Sequence, residues 1–163
     1  MIKPIVITNE GVTQISASTF INTSPEKVWA VLKFPGRVKE FHPLIKDSYM
    51  ISDQENGLGA RRHCDLVPMG ELEEVISEWN EGESITLEVI GGKMLPPYKF
   101  MRGHFHLASD GAGTRVTFTF SYELKYGTLG RLMDILLIRP QFKKAPPKYV
   151  TGLKSYVERA NDH

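Results

Sequence analysis

The chain has 163 residues, of which 41% are hydrophobic and 24% charged, and its formal net charge is +1 at pH 7. A chain of this length is expected to form one domain, residues 1–163, with a real core, and its ordinary composition excludes disorder and fibrous structure. With no basic excess, nucleic acid is not an expected partner.

Cys64 is the only cysteine, which rules out an intramolecular disulfide and a thiolate zinc cluster and fits a reducing compartment, so a cytoplasmic location is expected. Near the start, Ile5-Val6-Ile7 lies between Pro4 and the polar pair Asn9-Glu10, which is not a signal-peptide pattern. Apolar runs such as residues 135–138 fall far below the ~18–20 residues that a membrane span needs. Residues 1–12 read as an N-terminal extension.

Ile15, Ala17, Thr19 and Ile21 share one parity within residues 13–22, the alternation of a half-buried strand. Ser24-Pro25-Glu26 then offers a cap, a first-turn proline and an early acid, and Val28, Val31 and Leu32 form an apolar stripe, so a helix starts here. It ends at Phe34-Pro35-Gly36, and a second short helix over residues 35–41 ends before His42-Pro43.

The chain up to about residue 125 reads as strands separated by turns: 45–52, 60–67, 71–79, 84–90, 98–107 and 115–124. The last is the clearest, with Val116, Phe118, Phe120, Tyr122 and Leu124 alternating against polar neighbours. Beyond Gly127 the period becomes helical, with Leu129, Leu132, Met133, Leu136 and Leu137 on one face, expected to pack inward. Pro140 and Pro146-Pro147 should interrupt this helix before it resumes over residues 147–160 with Val150, Leu153 and Val157 inward. One strand, two small helices, a meander and a long helix make an α+β domain.

That order of elements, with Ser24-Pro25-Glu26-Lys27-Val28-Trp29 after the first strand, resembles the START-like (SRPBCC) superfamily, which includes pollen-allergen homologues, lipid-transfer domains and polyketide cyclase/dehydrase-type proteins. Gly59-Ala60-Arg61, the segment from Gly70 to Glu73, the hairpin from Asp110 to Arg115 and Gly152-Leu153-Lys154 extend the resemblance from about residue 13 to 160. It implies a helix-grip fold: a curved antiparallel sheet of about six or seven strands wrapped around a long, here kinked, C-terminal helix. It also implies a cavity that takes a hydrophobic small molecule.

Residues 91–99 are similar to the latch loop of plant abscisic-acid receptors, and Val67-Pro68-Met69 lies where their gate loop does. The resemblance matches Lys46 to a lysine that pairs with the ligand carboxylate, Glu73 to a pocket acid and Tyr98 to a pocket tyrosine. Phe100 and Phe120 stand where those receptors have a polar residue, so the likeness extends to cavity architecture and not to hormone binding.

If Glu73 faces the cavity, the neighbouring strand should offer Arg61 and His63, and Tyr98, Phe100, Arg102 and His104 share a parity further along. The expected ligand-binding residues are therefore Lys46, Arg61, His63, Glu73, Tyr98, His104, Phe118, Phe120, Tyr122, Leu132, Met133 and Leu136. The competing arrangement reverses the face and puts Arg62, Cys64 and Leu66 inside, a change that a single β-bulge produces. His104 and His106 share a strand face and with His63 make a thin metal set, far short of the ligands and support a mononuclear site uses, so no metal and no cofactor is expected.

Three functions compete, one of them a regulatory or interaction module whose loops close over a ligand and present a surface to a partner or second copy. A binding or transport protein for a lipid, polyketide, isoprenoid or aromatic metabolite needs only a cavity and an entrance. An aromatase/cyclase or dehydratase-type enzyme needs an inward acid–base pair as well. The interrupted helix and residues 5–7 leave room for a homodimer.

Overall fold

The computed structural model describes residues 2–162. Strands β1 (Ile5–Asn9) and β2 (Val12–Ile21) form a hairpin whose two turn residues, Glu10 and Gly11, both have positive φ, the turn geometry that follows strand twist. Helix α1 (Pro25–Leu32) and a 3-10 helix (Pro35–Glu40) come next, where the proline signals predict, with Ser24 at the N-cap position of α1 but making no side-chain cap bond. Then follow β3 (Ile45–Met50), β4 (Arg61–Leu66), β5 (Glu71–Asn80), β6 (Ser84–Lys93), β7 (Tyr98–Asp110) and β8 (Gly113–Leu124).

All eight strands join one antiparallel sheet in the order β1-β2-β8-β7-β6-β5-β4-β3. The count exceeds the expected six or seven because the N-terminal extension pairs along β2 as an edge strand. The C-terminal helical region consists of α2 (Gly127–Met133), a π-wound stretch (Asp134–Ile138), α3 (Arg139–Phe142) and α4 (Ala145–Asn161). This is the α+β helix-grip architecture.

The expected interruptions are present. Pro140 has no N–H for the carbonyl four residues back, and the helix is π-wound just before it. Pro146 and Pro147 sit in the first turn of α4, after a turn at residues 143–144, where a missing donor costs nothing. α4 lies close to the 3-10 helix end because residue 152 is glycine: a Cβ there would run into the Phe41 carbonyl.

The main core joins Val28, Trp29 and Leu32 of α1 to Tyr149, Val150, Leu153 and Val157 of α4 across Ile21, Ile76, Ile85, Leu87, Phe105, Val116 and Phe118 of the sheet. A second cluster, Ile15, Val89, Met101, Tyr122 and Leu124, takes in Leu95, Tyr98, Phe120, Ile138 and Phe142 beneath α3.

The face of α2 is the reverse of expectation. Leu129, Leu132, Leu136 and Leu137 are exposed, while Gly130 and Asp134 are buried and Ile138 and Phe142 pack on the second cluster. Two contacts fix this rotation. Gly130 lies so close to the Lys125 carbonyl that a Cβ would collide with it, and Asp134 is bonded to the sheet.

Candidate functional site

In β4 and β5 the register pairs Arg62 with Glu74 and His63 with Glu73. Arg62 is buried and reaches α4, and Cys64 belongs to the main core, so alternation sends Arg61 and His63 to the opposite, outer face. The register shift beside Glu73 and Glu74 skips Ile90 of β6, so Glu74 takes the inner face by the plain alternation of Leu72, Glu74 and Ile76. The expected inward positions of Arg61, His63 and Glu73 are thus corrected.

Arg62 donates through Nε to Glu74 Oε2 at 2.7 Å, and its Nη2 lies 2.6 Å from the same oxygen. Nη1 donates to the Pro35 carbonyl at 2.8 Å, and Nη2 lies 3.5 Å from the Tyr149 hydroxyl. Burial opposes the guanidinium charge, but the carboxylate of Glu74 beside it outweighs that and holds the group firmly protonated. Burial pushes the Tyr149 hydroxyl up to about 12 and the Cys64 thiol up to about 12, so both stay neutral.

Tyr149 projects from α4 into the centre of the grip. Its ring meets Phe105 and Phe118 at 4.7 Å between centroids and His42 at 4.4 Å. His42 is buried, and its Nδ1 accepts the Leu44 N–H at 3.1 Å. Burial, with help from Arg62 and Lys148, lowers its pKa to about 3, so the imidazole is neutral. The free space among Phe34, Val38, Arg62, Leu87, Phe105 and Tyr149 is about 10 Å³, the room of a single water molecule.

The remaining expected site residues divide cleanly. Phe118, Phe120 and Tyr122 face the helices, and half-buried Tyr98 packs in the second cluster. Met133 is half-buried, while Leu132 and Leu136 are exposed. Lys46 is exposed next to a strand irregularity at Ile45/Asp47.

His104 lies on the outer face, 2.7 Å from the Thr86 hydroxyl, which also donates to Glu78. His63, on the same outer surface, stacks on Tyr49 with centroids 4.9 Å apart and bonds Asp65 at 2.9 Å. The donor atoms of His63, Asp65 and Glu71 lie within 4.8 Å of one another, a set that His104 and His106 do not join.

A larger cavity, about 150 Å³, opens at the other end of the grip between the β1–β2 hairpin, the end of β8 and α2. Its wall includes the Asp134 network. Asp134 accepts the Tyr122 hydroxyl, the Thr13 hydroxyl at 3.2 Å, and Arg139 through Nη2 at 2.6 Å and Nε at 3.1 Å. Burial, then the bond to Asp134, raises the Tyr122 pKa well above the usual phenol range.

Among the interior polar groups, the sequence places Arg62 inside only in the competing arrangement and singles out none of Glu74, Tyr149, His42 and Asp134. Arg62 and Glu74 sit one position from the chosen Arg61, His63 and Glu73. Asp134 has a plain signal: it is the single acid in residues 125–148, set among leucines.

A family model described as polyketide cyclase/dehydrase and lipid transport matches residues 12–158. No curated protein matches the chain. Among solved structures, a Thermus thermophilus protein is 21% identical with a TM-score of 0.73, covering 90% of this chain and 98% of its own. A START superfamily protein from Mycobacterium smegmatis is 13% identical with a TM-score of 0.69, covering 90% of this chain and 98% of its own. The protein Ara h 8.0201 is 14% identical with a TM-score of 0.72, covering 91% of this chain and 99% of its own. With the match running through both the sheet and the closing helix, the chain belongs to the polyketide cyclase/dehydrase and lipid-transport family.

Proposed function

We propose that the protein binds a small, largely apolar molecule, such as a lipid, polyketide, isoprenoid or aromatic metabolite, between the inner sheet face and the C-terminal helices. Arg62 is its polar anchor. The observation that carries this reading is a guanidinium held charged in the main core, paired with Glu74 and reaching the Tyr149 hydroxyl. A buried ion pair adds little to stability compared with packed apolar side chains, which favours a role in recognising a ligand oxygen. Phe118, Phe120 and Tyr122 supply apolar wall, with Tyr98 packed beside them in the second cluster.

With about 10 Å³ free at the centre, a ligand enters only as Tyr149 moves and the α2–α3 segment swings. The π-wound stretch and the turn at residues 143–144 are natural hinges for that swing. The enzyme reading, cyclase or dehydratase, needs a free base facing inward. His42 uses Nδ1 on a backbone N–H, Tyr149 is a neutral phenol, and Glu74 is engaged by Arg62, so binding is favoured over proton transfer.

Fluorescence titration with 1-aminoanthracene, followed by displacement with palmitate, tests the reading. Saturable binding and displacement are expected, and Arg62→Met combined with Glu74→Leu, which leaves no unpaired buried charge, should weaken palmitate displacement roughly tenfold, the loss of one charge-assisted bond, while sparing the neutral probe. Absence of saturable probe binding in both the parent and a Tyr149→Ala variant, whose interior is enlarged, would sink it.

A further inference from the structure

Between Lys125 and Lys148 the chain carries six basic side chains, Lys125, Arg131, Arg139, Lys143, Lys144 and Lys148, and one acid, the buried Asp134. Since the whole chain sums to +1, the remainder is net acidic, and this segment is a local concentration of positive charge. Over the same stretch Leu129, Leu132, Ile135, Leu136 and Leu137 are each 53–64% exposed. The inward seats on this helix belong to Gly130 and Asp134, which leaves the aliphatic stripe facing out.

A continuous apolar patch rimmed by one sign of charge marks a surface with an occupant. A second copy docked about a twofold axis would set this basic rim against itself. An anionic bilayer surface complements both features at once: the leucines enter the boundary of the acyl region, and the lysines and arginines sit at phosphate depth. No described helix is long and apolar enough to cross a membrane, so the segment lies along the surface. We propose that residues 125–148 form a docking surface for anionic lipid bilayers. This surface stands on its own charge and exposure, independently of what the interior binds.

Co-sedimentation of the full chain with vesicles tests it, one set of phosphatidylcholine alone and one of phosphatidylcholine mixed with phosphatidylglycerol. Partition at least tenfold stronger onto the anionic vesicles is expected, weakening as salt is added. A Lys143→Glu/Lys144→Glu variant should lose at least tenfold of it. Leu132→Glu/Leu136→Glu should lose as much, with its thermal unfolding unchanged because both positions are exposed. Equal or absent partition on the two vesicle types would overturn the proposal. So would light scattering that shows a dimer dissociated by Leu132→Glu/Leu136→Glu in a chain that ignores vesicles, an outcome that assigns the patch to a second copy.

Discussion

The Tyr122 hydroxyl of β8 donates to the carboxylate of Asp134, a bond from the inner sheet face to the buried face of the helix that closes the grip. This contact, with Arg139 and Thr13 on the other carboxylate oxygen, decides which side of α2 faces in. Were the leucines to turn inward, Asp134 would rotate into solvent and leave the Tyr122 hydroxyl buried without its partner.

Asp134→Asn is therefore expected to destabilise the protein by about 2 kcal/mol, since an amide can accept from Tyr122 but turns a donor toward Arg139. The melting temperature should fall by roughly 4–8 °C for a chain of this size. Amide exchange should speed up most in residues 127–142 and least in α4. A uniform rise along the whole chain would mean that the network is not a local latch.

Gly152→Ala tests the close approach of α4. Alanine is the better helix former by about 1 kcal/mol, so propensity alone predicts stabilisation. The Cβ would instead meet the Phe41 carbonyl, and the expected result is a net loss of about 1–3 kcal/mol in chemical denaturation. A stabilised variant would show that α4 can shift away at little cost.

The Arg62–Glu74 pair separates anchoring from stability. Glu74→Ala leaves a buried guanidinium uncompensated and should destabilise by about 3–5 kcal/mol. Arg62→Met combined with Glu74→Leu removes both charges and should return stability to within about 1 kcal/mol of the parent. If that double variant also keeps full palmitate displacement, the pair has no part in recognition.

How far the sequence reaches follows from its periodicities. Ile15, Ala17, Thr19 and Ile21 in β2 and Val116 to Leu124 in β8 alternate over long, regular pairings, so their inner face is legible directly. β4 and β5 offer no such guide. Arg61-Arg62 and Glu73-Glu74 put the same residue type on both parities, and a register shift in β5 between Ile76 and Glu78 breaks its alternation. Hydropathy cannot choose between two adjacent arginines or two adjacent glutamates; the Pro35 carbonyl and the Tyr149 hydroxyl choose, and both are distant in sequence. The leucine stripe of α2 misleads for a related reason, since a helix period gives a face but not what that face meets.

His42 gives the interior an acid sensitivity whose sign is fixed. The ordinary imidazole pKa of the unfolded chain is about 6.5, and the folded value is lowered to about 3. Between those values the unfolded state binds a proton that the folded state refuses, so the stabilisation is complete above about pH 6.5 and is lost steadily as pH falls toward 3. At pH 4.5 the loss attributable to this one group is about 2–3 kcal/mol. Urea denaturation of the parent and of His42→Asn, whose side-chain oxygen can still accept the Leu44 N–H, isolates it from the carboxylates that titrate in the same range. The difference in stability between parent and variant should shrink from pH 7 to pH 4.5. If the two pH profiles run parallel, His42 takes up its proton in the folded protein as readily as in the unfolded chain, and the imidazole is not sealed inside the grip.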